Sequence, residues 1–367
     1  MSGFNRDIIF KGDGSSKNFI DVLPKDLTIR KEVPLSMMEP FMGYSQKTLF
    51  REVTINKYVP NEETLSFLNS PIKEVADLHV LYKEIKKAIF NTWDSSKLHI
   101  IGHSSGYDSR IISTAIKELK EEHGETWAGE IICVEVYGET KEFKELMAVQ
   151  GFKNIAYNEN SSPNQHHAYS FEFSTFWQKF NGLVSFPVNL WYDPYKDLYE
   201  KGLVPKEGIQ GYTGYGANES MEIALKKIGF AEYYRWHHYL QLQNFKLWGD
   251  NWVHPYWQWN VQQALRGCNK WNRGKTRLAK LLCDAVVPNL NSIVQVTSKE
   301  VAKRGYRTLD NSIMKQIVNS YDKSWYGKNV KIQFRNDMSD YKPWWFHYCA
   351  ASLCEYLLVN GYKISFV

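Results

Sequence analysis

The sequence predicts an α/β protein: a parallel sheet with helices on its faces, a helix-rich C-terminal region, and a small strand-containing segment at the N-terminus. Three observations carry that prediction. Short apolar runs alternate with amphipathic helical patterns from residue 76 to residue 157, the pattern of strand-helix-strand units. Residues 130–137 (EIICVEVY) are almost continuously apolar, as strands covered on both faces are. From Tyr169 onward strand signals fade and helical periodicity takes over.

Each element follows in order. Residues 49–59 read as one or two strands, and the Gly/Ser-rich stretch 12–16 as a loop. Residues 76–93 form an amphipathic helix, with Leu78, Leu81, Ile85 and Ile89 on one face and Lys83, Glu84, Lys86 and Lys87 on the other. A short apolar strand, 98–101, enters a small-residue loop, 102–109, and a helix follows over 110–123, stopped by Gly124. The strand 130–137, a helix over 142–150 and a strand over 154–157 complete this half. A further strand, 208–211, enters a second Gly-rich turn. Helices are expected over 221–228, 231–248, 260–265, 277–285, 311–319 and 345–358. The division expected is an N-terminal segment, 1–75, and a larger α/β unit with a helical C-terminal part, 76–367.

Composition bounds the answer. With 367 residues the chain is long enough to bury a core without disulfides. Apolar residues are 43% and charged residues 23%, those of an ordered globular protein. No apolar stretch reaches membrane-spanning length, and residues 1–14 lack an apolar signal core. The expectation is no membrane partner. The five cysteines include no C-x-x-C pair, which points to reduced thiols and a cytoplasmic location. A net charge of +5 admits an anionic partner without requiring one.

Two segments carry candidate chemistry. Ser104, Ser105, Gly106, Tyr107, Asp108 and Ser109 sit where a strand ends and a helix begins. Backbone N–H groups there can form an anion nest, the serine hydroxyls add donors, and Asp108 can hold Mg²⁺ against phosphate charge. Spacing alone equally admits a Ser/Gly turn that caps a helix, with Asp108 in its first turn. Neither the Walker A nor the dinucleotide pattern is present. The second segment is Thr213, Gly214, Tyr215, Gly216, Ala217, Asn218 and Glu219, about a hundred residues later.

Residues 104–109 resemble the pyrophosphate loop, S-G-G-x-D-S, of the ATP pyrophosphatase superfamily, with Ser105 where that family has glycine. Residues 213–219 resemble the S-G-E-G-A-D-E loop of the asparagine synthetase C-terminal domain. Residues 249–257 (GDNWVHPYW) are similar to that family's E-V-R-x-P-F-L-D stretch, and 275–280 (KTRLAK) to its K-Y-x-L-R motif. The resemblance covers roughly residues 76–289. It implies an adenine nucleotide α-hydrolase-like sheet, ATP and Mg²⁺ as cofactors, and ATP-dependent, AMP-forming coupling of a small-molecule carboxylate to an amine or ammonia.

Carried onto this sequence, the resemblance implies that Ser104, Ser105, Gly106, Asp108, Ser109, Thr213, Gly214 and Gly216 bind the nucleotide. Asp108 and Asn218 are the metal positions, and Tyr215, Lys275 and Asp250 the catalytic candidates. The family's metal-binding aspartate is Asn218 here, a weaker ligand, and its glutamate aligns with Asn251. Tyr215 replaces an acidic residue, as in β-lactam and carbapenam synthetases, and a tyrosine with a pKa near 10 needs a carboxylate partner such as Asp250 to act as a base. Lys275 is a charge stabiliser or one solvated cation in the basic run Lys270, Arg273, Lys275, Arg277, Lys280. Ser2 stands where full-length members have a cysteine nucleophile, so no glutamine-hydrolysing half is expected.

The aromatic runs 233–248 and 254–260 read as core, or as base-stacking surface for a nucleic-acid substrate. A pyrophosphate-loop enzyme acting on tRNA or DNA, and a catalytically degenerate nucleotide-binding homologue, are therefore the alternatives. The sequence leaves homo-oligomerisation open.

Overall fold

The computed structural model describes residues 9–30, 48–56, 62–75, 77–135, 140–157, 173–174, 177, 198–199, 201–205, 207–214, 217, 220, 252–268, 277–293, 311–331 and 342–366. The N-terminal strands are β1 (Phe10–Gly12), β2 (Gly14–Ser16), β3 (Asp26–Ile29) and β4 (Thr54–Ile55). Where the sequence predicts a loop over 12–16, β1 and β2 form an antiparallel hairpin. Gly14 closes it at φ 96°, a conformation side chains avoid. Of the strand signal over 49–59, β4 pairs with β1, and Phe50 bridges to Ile29. Helix α1 (Glu62–Asn69) follows.

The central unit is wound as the periodicity predicts. Helix α2 (Leu78–Thr92) starts at Asp77, whose carboxylate accepts the His79 N–H at 2.9 Å, and it buries Leu78, Leu81, Ile85 and Ile89. Strand β5 (Leu98–His103) runs past the apolar signal to the loop. Helix α3 (Tyr107–His123) begins three residues before the expected 110, so Asp108 and Ser109 belong to its first turn. After α4 (Glu125–Ala128) come β6 (Ile131–Glu135), α5 (Lys141–Gln150), β7 (Ile155–Tyr157), β8 (Ile209–Thr213) and β9 (Trp252–Val253).

These strands form one parallel sheet of order β7-β6-β5-β8-β9, with the two-residue β9 at its edge. The apolar run of β6 has a direct cause. Ile131 and Cys133 join the core beneath α2, α3 and α5, whereas Ile132 and Val134 join a cluster on the opposite face with Ile100, Ile209, Leu198 and Val204. Both faces are covered, so no alternation survives in the sequence.

The C-terminal helices are α6 (Trp259–Arg266), α7 (Arg277–Val286), α8 (Asn311–Lys323), α9 (Trp325–Asn329) and α10 (Lys342–Val359), followed by β10 (Lys363–Phe366). The helices expected over 221–228 and 231–248 lie outside the described residues. Helices α6 and α7 belong to the core of the parallel sheet. A separate core joins Phe10, Phe19, Ile29 and Phe50 to Ile317, Tyr348 and Leu357, and β10 pairs in parallel with β3. Strands from 9–55 thus pack with helices from 311–359, while α1 is held to the sheet's core by Phe67 and by the Arg266 guanidinium on the carbonyls of Phe67 and Leu68. All five cysteines are buried, and none forms a disulfide. Among the described residues no helix is long and apolar enough to cross a membrane.

Candidate functional site

Strand order reverses between β5 and β8. In open α/β sheets that switch point leaves a crevice beyond the carboxyl ends of the strands. The register aligns those ends: Gly102 lies opposite Thr213, and His103 opposite Glu135. Both candidate loops leave the sheet here.

Ser104, Ser105 and Gly106 turn the chain from β5 into α3. The first bond of the helix is Arg110 N–H to Gly106 O, 3.1 Å. The N–H groups of 107–109 therefore have no carbonyl within the helix, and the positive end of its dipole faces the crevice. Ser109 folds back over the loop: its Oγ accepts from the Ser104 N–H and donates to Gly106 O, both at 3.2 Å, and lies 3.2 Å from Ser104 Oγ. Ser104, Gly106 and Asp108 are half-buried.

Ser105 occupies the left-handed region at φ 55°. That conformation costs a non-glycine residue about 1–2 kcal/mol. Three hydrogen bonds hold it. Its N–H donates to His103 Nδ1 at 2.9 Å, its Oγ donates to Glu135 Oε2 at 2.8 Å, and its carbonyl accepts from Arg110 Nε at 3.0 Å. Ser105, His103 and Glu135 are 0% exposed and Arg110 is 1%. The Ser105 hydroxyl and amide, read from the sequence as donors for an anion, are thus turned inward and used within the protein.

His103 accepts through Nδ1, so its proton sits on Nε2, 3.2 Å from Ser113 Oγ. Burial lowers its pKa to about 3, and the charge of Arg110 adds to that, keeping the ring neutral. Ser113 Oγ in turn reaches Gln150 Oε1 at 2.9 Å, and Gln150 Nε2 donates to Thr114 Oγ1 at 2.8 Å. A buried polar network therefore underlies the loop.

The second segment packs directly on the first. A Cβ added at Gly214 would stand 3.0 Å from the carbonyl carbon and Cβ of Asp108 and from the Ser109 nitrogen. Only glycine lets β8's exit lie so close to the first turn of α3. The third segment arrives at the same turn: the Tyr256 hydroxyl, in the 3₁₀ turn Pro255–Trp257, donates to Asp108 O at 3.0 Å. Ser220 joins the second and third segments through its hydroxyl on Tyr256 O, 3.1 Å. The fourth segment leads into α7, which packs along α3. There Lys280 is exposed and paired with Asp284 at 2.5 Å. Arg110 NH1 also donates to Leu290 O at 2.8 Å, tying the loop to the turn after α7.

The structure thus brings together Ser104, Ser105, Gly106, Asp108, Ser109, Thr213 and Gly214. Tyr215, Gly216, Asn218, Asp250, Asn251 and Lys275 lie outside the described residues. Sequence reading missed Arg110, Glu135 and Ser220. Glu135 alone left a signal, as a carboxylate inside an apolar strand. Tyr256 and Trp257 are core residues, buried between helices rather than presented for stacking. Among the described residues no cluster of three or more His, Cys, Asp or Glu side chains forms a metal cage. Asp108 is the one carboxylate among the described residues of the two loops. No protein-family model matches the chain, and no curated protein matches it.

Proposed function

We propose that this chain is an ATP-dependent, AMP-forming ligase that adenylates a carboxylate and joins it to an amine or ammonia. The supporting observation is convergence. Two segments that begin more than a hundred residues after 104–109, each resembling a motif of one synthetase family, meet the first turn of α3, through Gly214 against Asp108 and Ser109 and through Tyr256 on Asp108.

In this reading the N–H groups of 107–109 and the Ser104 hydroxyl take the oxygens of the phosphate chain, where the helix dipole favours negative charge. Asp108 holds Mg²⁺ together with those phosphates. Bound ATP supplies the phosphoanhydride whose cleavage activates the carboxylate. The resemblance assigns Tyr215, the residue after Gly214, as the base, with Asp250 as its partner and Lys275 as the charge stabiliser. The buried Tyr256 and Trp257 offer no stacking face, which favours small-molecule substrates over nucleic acid.

The test is nucleotide product analysis. The protein is incubated with Mg²⁺-ATP and pooled carboxylates and amines, and AMP, ADP and pyrophosphate are separated. Equal amounts of AMP and pyrophosphate, absent from Asp108→Ala, are expected. ADP as the product defeats the reading. ATP binding without turnover favours a nucleotide-binding homologue, and turnover that appears only with added tRNA or DNA favours the nucleic-acid alternative.

A further inference from the structure

Among the described residues Ser105 is the non-glycine residue with positive φ. Such a residue persists where its surroundings over-determine it. Of the three groups that bind it, His103 and Arg110 come from the same strand-loop-helix segment. Glu135 comes from the neighbouring strand, 30 residues away in sequence. It stands opposite His103 at the end of β6, fully buried, in a run otherwise made of apolar side chains. A carboxyl in that place is costly to bury and needs a compensating donor. The Ser105 hydroxyl is one such donor, and the bond fixes both residues. Ser105 also links two buried groups of opposite character, the Glu135 carboxyl at its hydroxyl and the Arg110 guanidinium at its carbonyl.

We propose that Glu135 is a positioning residue for the 104–109 loop. Its carboxyl holds Ser105 in the left-handed region, where a glycine would stay unaided, and so sets the loop's affinity for a phosphate-chain anion. The affinity clause rests on the functional reading above, whereas the positioning clause needs no ligand. The serine hydroxyl is in this arrangement a structural tie to the sheet and not a phosphate donor.

The test is a double-mutant cycle on the full chain with Glu135→Leu, which has no acceptor, Ser105→Gly and their combination. Two quantities are read: amide hydrogen exchange over 104–109 without ligand, and calorimetric binding of Mg²⁺-pyrophosphate. A hydrogen bond to a buried carboxyl is worth roughly tenfold in an equilibrium, so Glu135→Leu is expected to speed exchange about tenfold and weaken pyrophosphate binding at least about fivefold. In the Ser105→Gly background the same substitution should change either quantity by less than about twofold, because glycine needs no tether. A purely structural role for Glu135 would give equal factors in both backgrounds, and that result overturns the proposal. Ser105→Ala removes the bond from its other end and keeps the strain, so it serves if Glu135→Leu fails to fold. Its loop should exchange faster than that of Ser105→Gly, and equal rates overturn the proposal. Coupled exchange in a wild type that binds no pyrophosphate upholds Glu135 as the positioning residue and overturns the phosphate reading of the loop.

Discussion

Tyr256 donates its phenolic hydrogen to the main-chain carbonyl of Asp108 at 3.0 Å, across 148 residues of sequence. The ring is completely buried, and burial raises its pKa well above that of a free tyrosine, with the nearby Asp108 charge adding to the effect. The hydroxyl is therefore a fixed donor. It locates the first turn of α3 against the turn that follows β9, which joins one wall of the crevice to another.

Removing that hydroxyl tests the link with little change of volume. Tyr256→Phe is expected to lose about 1 kcal/mol of stability, the usual worth of one neutral hydrogen bond. Urea unfolding measures it. The same variant should bind Mg²⁺-ATP more weakly, because the turn that presents the N–H groups of 107–109 loses a support. Unchanged stability and unchanged affinity would mean that packing of the ring alone sets the turn.

Gly214→Ala tests the contact between the two loops. The new methyl would meet Asp108 and Ser109 at 3.0 Å, closer than carbon contacts normally run, and two of its three nearest neighbours are backbone atoms that cannot rotate away. Overpacking of this kind costs about 1–3 kcal/mol. The strain falls on the first turn of α3, so nucleotide affinity should drop together with stability. A variant with wild-type melting and wild-type ATP binding would show that the loops separate freely.

Burial of His103 gives a pH dependence with a definite sign. The folded protein protonates this ring only near pH 3, whereas the unfolded chain does so near the ordinary histidine value of 6.5. Between those values the unfolded state binds more protons, so stability is full above pH 6.5 and falls as pH falls. His99 and His347, both lowered to about 4 by burial, act in the same direction. Replacing His103 with Asn keeps an acceptor for the Ser105 N–H and removes the titration. The slope of unfolding free energy against pH, measured near pH 5, should then drop by up to about 1.4 kcal/mol per unit. An unchanged slope would place the ring in contact with solvent.

Much of this arrangement is legible in the sequence, and the unread part has physical causes. The sheet is readable because β6 is apolar on both faces and α2 on one. The loop after β5 is readable because small residues mark a strand-to-helix turn. The start of α3 is not, because Tyr107, Asp108 and Ser109 are weak helix formers, and their role as the first turn depends on Gly106 and on tertiary support. The hairpin at Gly14 hides behind glycine and serine, which loops and tight turns share. Pairing of β10 with β3 joins the two ends of the chain, and no local pattern records it. The bond from Glu135 to Ser105 is also non-local, yet a carboxylate in an apolar strand announces that some partner must exist.

Arg110 is the group whose replacement tests the whole support of the loop. Its Nε donates to Ser105 O at 3.0 Å and its NH1 to Leu290 O at 2.8 Å. Burial lowers its pKa from the ordinary guanidinium value. Leu290 lies 180 residues from Arg110 in sequence, so one planar fork fastens the crevice loop to the turn Pro288–Leu290 after α7. A lysine carries the charge on a single nitrogen and lacks that fork. Arg110→Lys should therefore satisfy one carbonyl at most and leave the other buried without its donor, at a cost of about 1–3 kcal/mol. Hydrogen exchange distinguishes this from general loosening: amides over 104–109 and over 288–293 should speed up together, while those of β3, in the separate core, should hold. Faster exchange confined to one of the two segments would show that the guanidinium supports that segment alone and does not join them.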